Sequence, residues 1–223
     1  MGPALDVSEG ARPYPDPPWH THGFGVMCPY LVRVRELELP PGLEPVSVAG
    51  RTLGMLGYIE YQPPSPLSYG ELLWMPATVR FRGGGGKPLT GYWVARMYVD
   101  HEGSLSAGRE LWALPKSLAK FERRDGGVDV SADDGTVLSL EYRGIGPALR
   151  LRSRVATLQP VPEGVVRFRS DFTGLVRPAT TRVTGFSSPH AGWASFPNAR
   201  RVLGLGSLLE RFESTMHAPV TVQ

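Results

Sequence analysis

The stretch from Ala107 to Lys120, AGRELWALPKSLAK, sets a lysine directly behind a proline in an apolar run. Pro115 fixes its own φ and presses Leu114 toward an extended conformation, so the backbone at Lys116 is stiff. Its sequence neighbours Trp112, Ala113, Leu114 and Leu118 are apolar. An amine buried among such groups favours its neutral form, because desolvation penalises the ammonium. A neutral amine adds to carbonyl carbon, which is the chemistry of Schiff-base lysines. Two readings stay open for the residue alone. Either Lys116 points into an apolar cavity as a nucleophile, or its stem is half-buried and the ammonium reaches solvent. A carboxylate is available for the first reading. In ELLWMPATVRFR (71–82) Leu73, Met75, Ala77, Val79 and Phe81 share one strand face, and Glu71 is in phase with them, so it is expected to point inward.

Other chemistries find little support. His20, His22 and Cys28 match no tight zinc spacing, so no metal site is expected. His190, in SSPHAGW, belongs to a turn-like stretch and reads as a surface-loop residue. RGGGGK (82–87) lacks the upstream glycine and the Ser or Thr of a phosphate loop, and GLGSLL (204–209) lacks the last glycine of a dinucleotide loop. No Gly-x-Ser-x-Gly elbow is present. No cofactor is therefore predicted. The arginines are scattered and many sit two apart (Arg33 and Arg35, Arg80 and Arg82, Arg150, Arg152 and Arg154), the spacing of a solvated strand face. With a net charge of only +3 they do not form a nucleic-acid surface.

The elements that must position the lysine are mostly strands. Gly (27) and Pro (22) are frequent enough to favour a turn-rich β fold over a helical one. Residues 1–24 read as an extended, Pro-rich arm able to wrap its own domain or a neighbouring subunit, and residues 25–223 as a single domain. YLVRVRELEL (30–39) slips phase near Arg35 and Glu36, which predicts a bulge. In TLGMLGYIEYQ (52–62) Leu53, Met55, Ile59 and Tyr61 share a face. Strands are also expected over 71–82, 92–100, 164–172 and 180–186, with a flexible connection at 82–87. SLSAGREL (104–111) reads as two helical turns weakened by Gly108. VDVSADDGTVLSLEY (128–142) reads as a hairpin turning at Asp134-Gly135. Leu205, Leu208, Leu209 and Phe212 have helical spacing, which predicts a C-terminal helix within 199–215. The single cysteine, Cys28, permits no intrachain disulfide and suits a reducing compartment. The first residues lack a signal-peptide core, residue 6 is Asp6 where a myristoylation signal needs Ser or Thr, and no run reaches membrane-spanning length. The expectation is a soluble, cytoplasmic protein without membrane or nucleic-acid partners.

MYVDHEGSLSAGRELWALPKSLAKFE (97–122) resembles the signature segment of the acetoacetate decarboxylase family, and SYGE (68–71) resembles that family's Tyr-x-Glu. The resemblance implies a β-rich α+β fold, a barrel-like antiparallel or mixed sheet around a buried pocket with few short helices. It implies that Lys116 is the Schiff-base lysine and Glu71 the active-site carboxylate. Arg96, Met97, Trp112 and Leu114 are then the candidate substrate contacts. Arg109 and Glu110 are read as an ion pair supporting the lysine segment. Ser117 stands where the family has a second lysine. The family's decarboxylases also carry an arginine shortly before the first strand, where this chain has Met27 and Cys28. A second family glutamate falls at Leu56 without gaps, with Glu60 nearby, on the right face only if the register shifts. Arg96 either replaces the missing cation or lies on the outer face. The implied function is decarboxylation of a small 3-oxo acid through a lysine imine. An aldolase, dehydratase or cyclase acting on a 2-oxo acid such as pyruvate, and a non-catalytic small-ligand binder, are the alternatives. The partners implied are a small oxo acid substrate and further copies of the chain in a homo-oligomer.

Overall fold

Strand-forming alternation that serves two faces at once organises this chain. The structure is a computed structural model that describes residues 12–83 and 87–223. The first eleven residues of the Pro-rich arm and the centre of the Gly-rich connection lie outside the described residues. The first segment forms β1 (Trp19–Arg33), β2 (Leu43–Pro45), β3 (Ser47–Val48) and β4 (Arg51–Gln62). The middle forms β5 (Tyr69–Met75), β6 (Ala77–Phe81), β7 (Leu89–Trp93), β8 (Arg96–Val99), the helix α1 (Glu102–Trp112), β9 (Lys116–Leu118) and β10 (Lys120–Arg124). The remainder forms β11 (Gly127–Ser131), β12 (Val137–Gly144), β13 (Leu149–Val161), β14 (Gly164–Ser187), β15 (Arg200–Arg201), β16 (Leu205–Met216) and β17 (Val220–Val222).

The spine of the sheet runs β9, β8, β5, β4, β1, β16, β14. The long β14 then carries β13 along its first half and the β12–β11–β10 meander along its second. Pairing is antiparallel except between β8 and β9 and at one bridge between β7 and β13. The sheet is mixed and strand-rich and, among the described residues, carries a single α-helix, as expected, but it does not close into a barrel. The expected hairpin forms between β11 and β12, with Gly135 at a φ of 83° in its turn.

Every residue of β5 is buried, because its two faces feed two cores. Leu72 and Trp74 join Val26, Leu56, Tyr58 and Tyr98 on one side. Leu73 and Met75 join Met97, Val99, Trp112 and Leu114 on the other, beneath α1. The helix runs from Glu102 to Trp112, longer than the two turns expected. His101 caps its start by accepting from the amides of Gly103 and Ser104, and Ala113 ends it in the left-handed conformation at a φ of 52°.

Two local expectations are corrected. The phase slip near Arg35 is a 3-10 turn, Val34–Glu36, that ends β1, not a bulge within a strand. The predicted C-terminal helix is the strand β16. Its pairing with β1 steps from Gly23↔Phe212 to Gly25↔Leu209, so a bulge consumes one extra residue. Leu209 and Phe212 thereby reach the same core three residues apart, and the bulge imitates helical spacing. The described part of the arm lies on α1 of its own chain. Tyr14 donates its hydroxyl to Glu110, and the Trp19 indole, already in β1, donates to the Pro15 carbonyl at 2.9 Å. Among the described residues no helix is long and apolar enough to cross a membrane.

Candidate active site

The strand β9 is three residues long, and its register with β8 decides which way each side chain faces. Met97 lies beside Lys116 and Tyr98 beside Ser117. Side chains alternate along a strand, so Lys116 enters the core under α1 while Ser117 enters the opposite one. Lys116 is 3% exposed. Its Nζ donates to Glu71 Oε2 and to Ser104 Oγ, both at 2.9 Å, and stands 5.1 Å from the centroid of the Tyr69 ring. Glu71 is on β5, beyond β8, so the lysine stem extends across the sheet to reach it.

That path exists because α1 is small-sided where it crosses the stem. Ser104, Ala107 and Gly108 are buried there. A Cβ placed on Gly108 would lie 2.3 Å from Lys116 Cδ and 2.5 Å from Cε. Backbone contacts fix the lysine's base. Its amide donates to the Leu114 carbonyl across Pro115 at 2.8 Å, and its carbonyl accepts from Arg109 Nε at 2.8 Å.

Glu71 is held from its other side. Its Oε1 accepts from the Tyr61 hydroxyl at 3.4 Å, and the Tyr61 and Tyr69 rings lie 4.6 Å apart. Burial, with the Glu71 charge adding to it, pushes both phenols well above the usual tyrosine range. Both therefore stay protonated as donors at neutral pH. The strand just before Glu71 is pinned as well. Gly70 donates its amide to Asp100 at 2.7 Å, and Arg123 bridges Asp100 and Glu60 at 2.7 and 2.8 Å.

The opposite face holds a separate polar network. Arg96 donates to Asp134 at 2.6 Å, to Ser117 Oγ at 3.2 Å and to the Tyr98 hydroxyl at 3.3 Å. Burial raises the Asp134 carboxyl, but hydrogen bonds from Thr136 and Tyr98 and the Arg96 charge outweigh it and hold the group at about 2.

The structure thus brings Lys116, Glu71 and Met97 together and keeps Leu114 and Trp112 in the same core. Trp112 is a packing residue, set edge-on against Trp19 at 5.0 Å with its indole donating to the His217 carbonyl. Several expectations change. Arg96 and Ser117 are off the lysine's face, so Arg96 does not stand in for the family arginine. Arg109 and Glu110 do not pair, because adjacent helical residues point apart; each braces a different neighbour. Leu56 faces the other core, and Glu60 is tied to Tyr58 and Arg123, so neither supplies a second carboxylate at Lys116. Ser104 and Tyr61 carried no sequence signal for a role here, and Tyr69 stood unremarked inside the Tyr-x-Glu match. Among the described residues no group of three or more His, Cys, Asp or Glu side chains gathers as a metal site.

The family model described as acetoacetate decarboxylase matches residues 8–213. The chain belongs to the acetoacetate decarboxylase family. Solved structures agree with the fold. An acetoacetate decarboxylase-like enzyme from Sphingomonas wittichii RW1 is 18% identical, with a TM-score of 0.69 over 99% of this chain and 98% of that one. Acetoacetate decarboxylase from Legionella pneumophila is 18% identical, with a TM-score of 0.64 over 100% and 98%. The enduracididine biosynthesis enzyme MppR complexed with pyruvate is 17% identical, with a TM-score of 0.66 over 99% and 96%. No curated protein matches the chain in sequence.

Proposed function

We propose that this family member is a Schiff-base enzyme that decarboxylates a 3-oxo acid through Lys116. The observation that carries this reading is a lysine ammonium group 3% exposed, bonded to one carboxylate and one hydroxyl. Transfer of a proton from Nζ to Glu71 across 2.9 Å leaves a neutral amine next to a neutral acid, which lowers the cost of burying the pair. The amine attacks the C3 carbonyl, a carbinolamine forms, and its hydroxyl leaves as water with the proton that Glu71 returns. In the resulting iminium the C1–C2 electron pair moves into the C2–C3 bond and the C3–N π pair onto nitrogen. Carbon dioxide departs and an enamine remains. Protonation at C2 and hydrolysis of the imine release the ketone and restore the amine.

The surroundings favour that bond cleavage. Among the described residues the buried cations are Lys116 and Arg96, and Arg96 is on the other face. A substrate carboxylate placed beside Glu71 among apolar groups has no further cation to hold it, and its loss as a neutral gas relieves that cost. A second reading, aldol or dehydration chemistry on a 2-oxo acid, is favoured by Met27 standing where the decarboxylases carry arginine, and by the likeness to the pyruvate-bound MppR structure. Incubation with acetoacetate or pyruvate, reduction with borohydride and mass measurement separate the readings. The expected result is an adduct on Lys116 from acetoacetate with release of carbon dioxide, and no adduct in Lys116→Ala. An adduct without carbon dioxide selects the second reading. Absence of any adduct with either acid leaves a small-ligand binder and defeats the Schiff-base reading.

A further inference from the structure

Lys116 Nζ has two polar contacts on different elements, Glu71 on β5 and Ser104 on α1. An ammonium needs only acceptors, and a backbone carbonyl would serve it as well as a serine. A hydroxyl differs in that it accepts and donates at once. Ser104 Oγ accepts from Nζ, so its own hydrogen is free to go to another group. Tyr69 is that group, because its hydroxyl is hydrogen-bonded to Ser104 and to Tyr61. Tyr61 in turn donates to Glu71 Oε1. The contacts close a ring that runs Lys116, Ser104, Tyr69, Tyr61, Glu71 and back to Lys116. All five residues are at most 5% exposed, so bulk water does not reach the ring to carry protons for it.

Imine formation calls for more than the direct contact between Nζ and Glu71. Loss of a proton to Glu71 frees the nitrogen lone pair on the Glu71 side, and the carbonyl carbon adds along that lone pair. The new carbon then stands between the nitrogen and Glu71. The first adduct carries a protonated nitrogen and an alkoxide, and Glu71 gives its proton to the oxygen. The nitrogen must still lose a proton before the hydroxyl can leave as water, and its remaining polar contact is Ser104.

We infer that Ser104 is a catalytic residue, the carrier that takes this proton from the adduct nitrogen and, through Tyr69 and Tyr61, returns one to Glu71. The inference rests on the reading of Lys116 as the imine-forming lysine and deepens it. Ser104 Oγ accepts the nitrogen's proton as its own passes to Tyr69. The Tyr69 proton passes to Tyr61 and the Tyr61 proton to Glu71. Each hydroxyl gains one proton and gives one, so all three end neutral. The nitrogen is then neutral and Glu71 is again a neutral acid. Its proton leaves with the carbinolamine hydroxyl as water, and the iminium forms. Burial keeps both phenols protonated, so they pass protons on without resting as phenolates.

The test is the rate of imine formation at Lys116, followed by rapid-quench borohydride trapping with acetoacetate and with pyruvate. Ser104→Ala and Tyr69→Phe should each slow trapping at least tenfold. The double variant should be no slower than the slower single one, since both cut the same chain. Tyr69→Phe separates a carrier from a mere holder of the ammonium. It keeps the ring beside Nζ and the Ser104 contact, and removes only the hydroxyl through which the proton departs. Thermal unfolding reports that each variant is folded. For the unaltered protein, the trapping rate should fall in heavy water with a curved dependence on the deuterium fraction, the mark of several protons in flight. An unchanged rate in folded Tyr69→Phe overturns the inference, as does a linear dependence in the unaltered protein, and either leaves the imine reading standing. No adduct in the unaltered protein with either acid defeats the imine reading and the inference with it.

Discussion

Gly108 occupies a helix interior against its own propensity, since glycine there costs about 1 kcal/mol relative to alanine. Its reason is the stem of Lys116, which passes where a Cβ would be. The two effects make opposite predictions. The second prevails: Gly108→Ala should lower the unfolding temperature, because displacing Nζ from Glu71 and Ser104 breaks a buried pair and outweighs the gain in helix formation, and the rate of borohydride-trapped adduct at Lys116 should fall at least tenfold. Trapping at an unaltered rate would show that the buried stem adapts without losing its partners. Arg109 acts at the same scale by holding the Lys116 carbonyl, a bond that spans the helix end and Pro115 and leaves its sequence neighbour Glu110 to Tyr14.

The alternation of β9 has consequences one residue further on. Ser117 points away from Lys116 toward Arg96, so a lysine at that position sits across the sheet from Lys116. Ser117→Lys should therefore leave the trapping rate at Lys116 within about threefold. It should cost roughly 1–3 kcal/mol of stability in urea, because a second cation is forced against buried Arg96. The same network has a pH signature. The Asp134 carboxyl is held at about 2, below its ordinary 3.8. A depressed folded-state value stabilises the fold fully above the unfolded value, and that contribution is lost as pH falls from about 4 toward 2. It amounts to on the order of 2 kcal/mol. Asp134→Asn should accordingly be less stable near neutrality and show a shallower loss over that window, read from urea unfolding at a series of pH values.

At the scale of the molecule, the start of the sheet and the helix over the lysine are locked together. Trp19 is 1% exposed, packs edge-on against Trp112 and accounts for the turn of the arm through its bond to Pro15. Trp19→Ala should cost about 3–5 kcal/mol, the range for emptying a large aromatic site. Because α1 supplies Ser104, the loss should be accompanied by a lower adduct rate at Lys116 even under conditions where the variant is folded. Stability preserved in urea would show that the arm and β1 collapse onto the vacated space.

Strand content, the hairpin at Gly135 and the inward phase of Glu71 were legible along the chain, because each follows from local alternation and turn chemistry. The stiff, apolar setting of Lys116 was legible for the same reason. The sense of Arg96 was not, since a strand's phase says which residues share a face and leaves open which face meets the lysine. That choice was made by the parallel pairing of a three-residue strand with β8. Nor was β16 legible as a strand, because a bulge gave its leucines helical spacing and only pairing with β1 and β14 reveals it. The residues that complete the site, Ser104 and Tyr61, come from a helix and a strand far apart in sequence. One chain position cannot report that convergence, because it is set by the distance between packed elements.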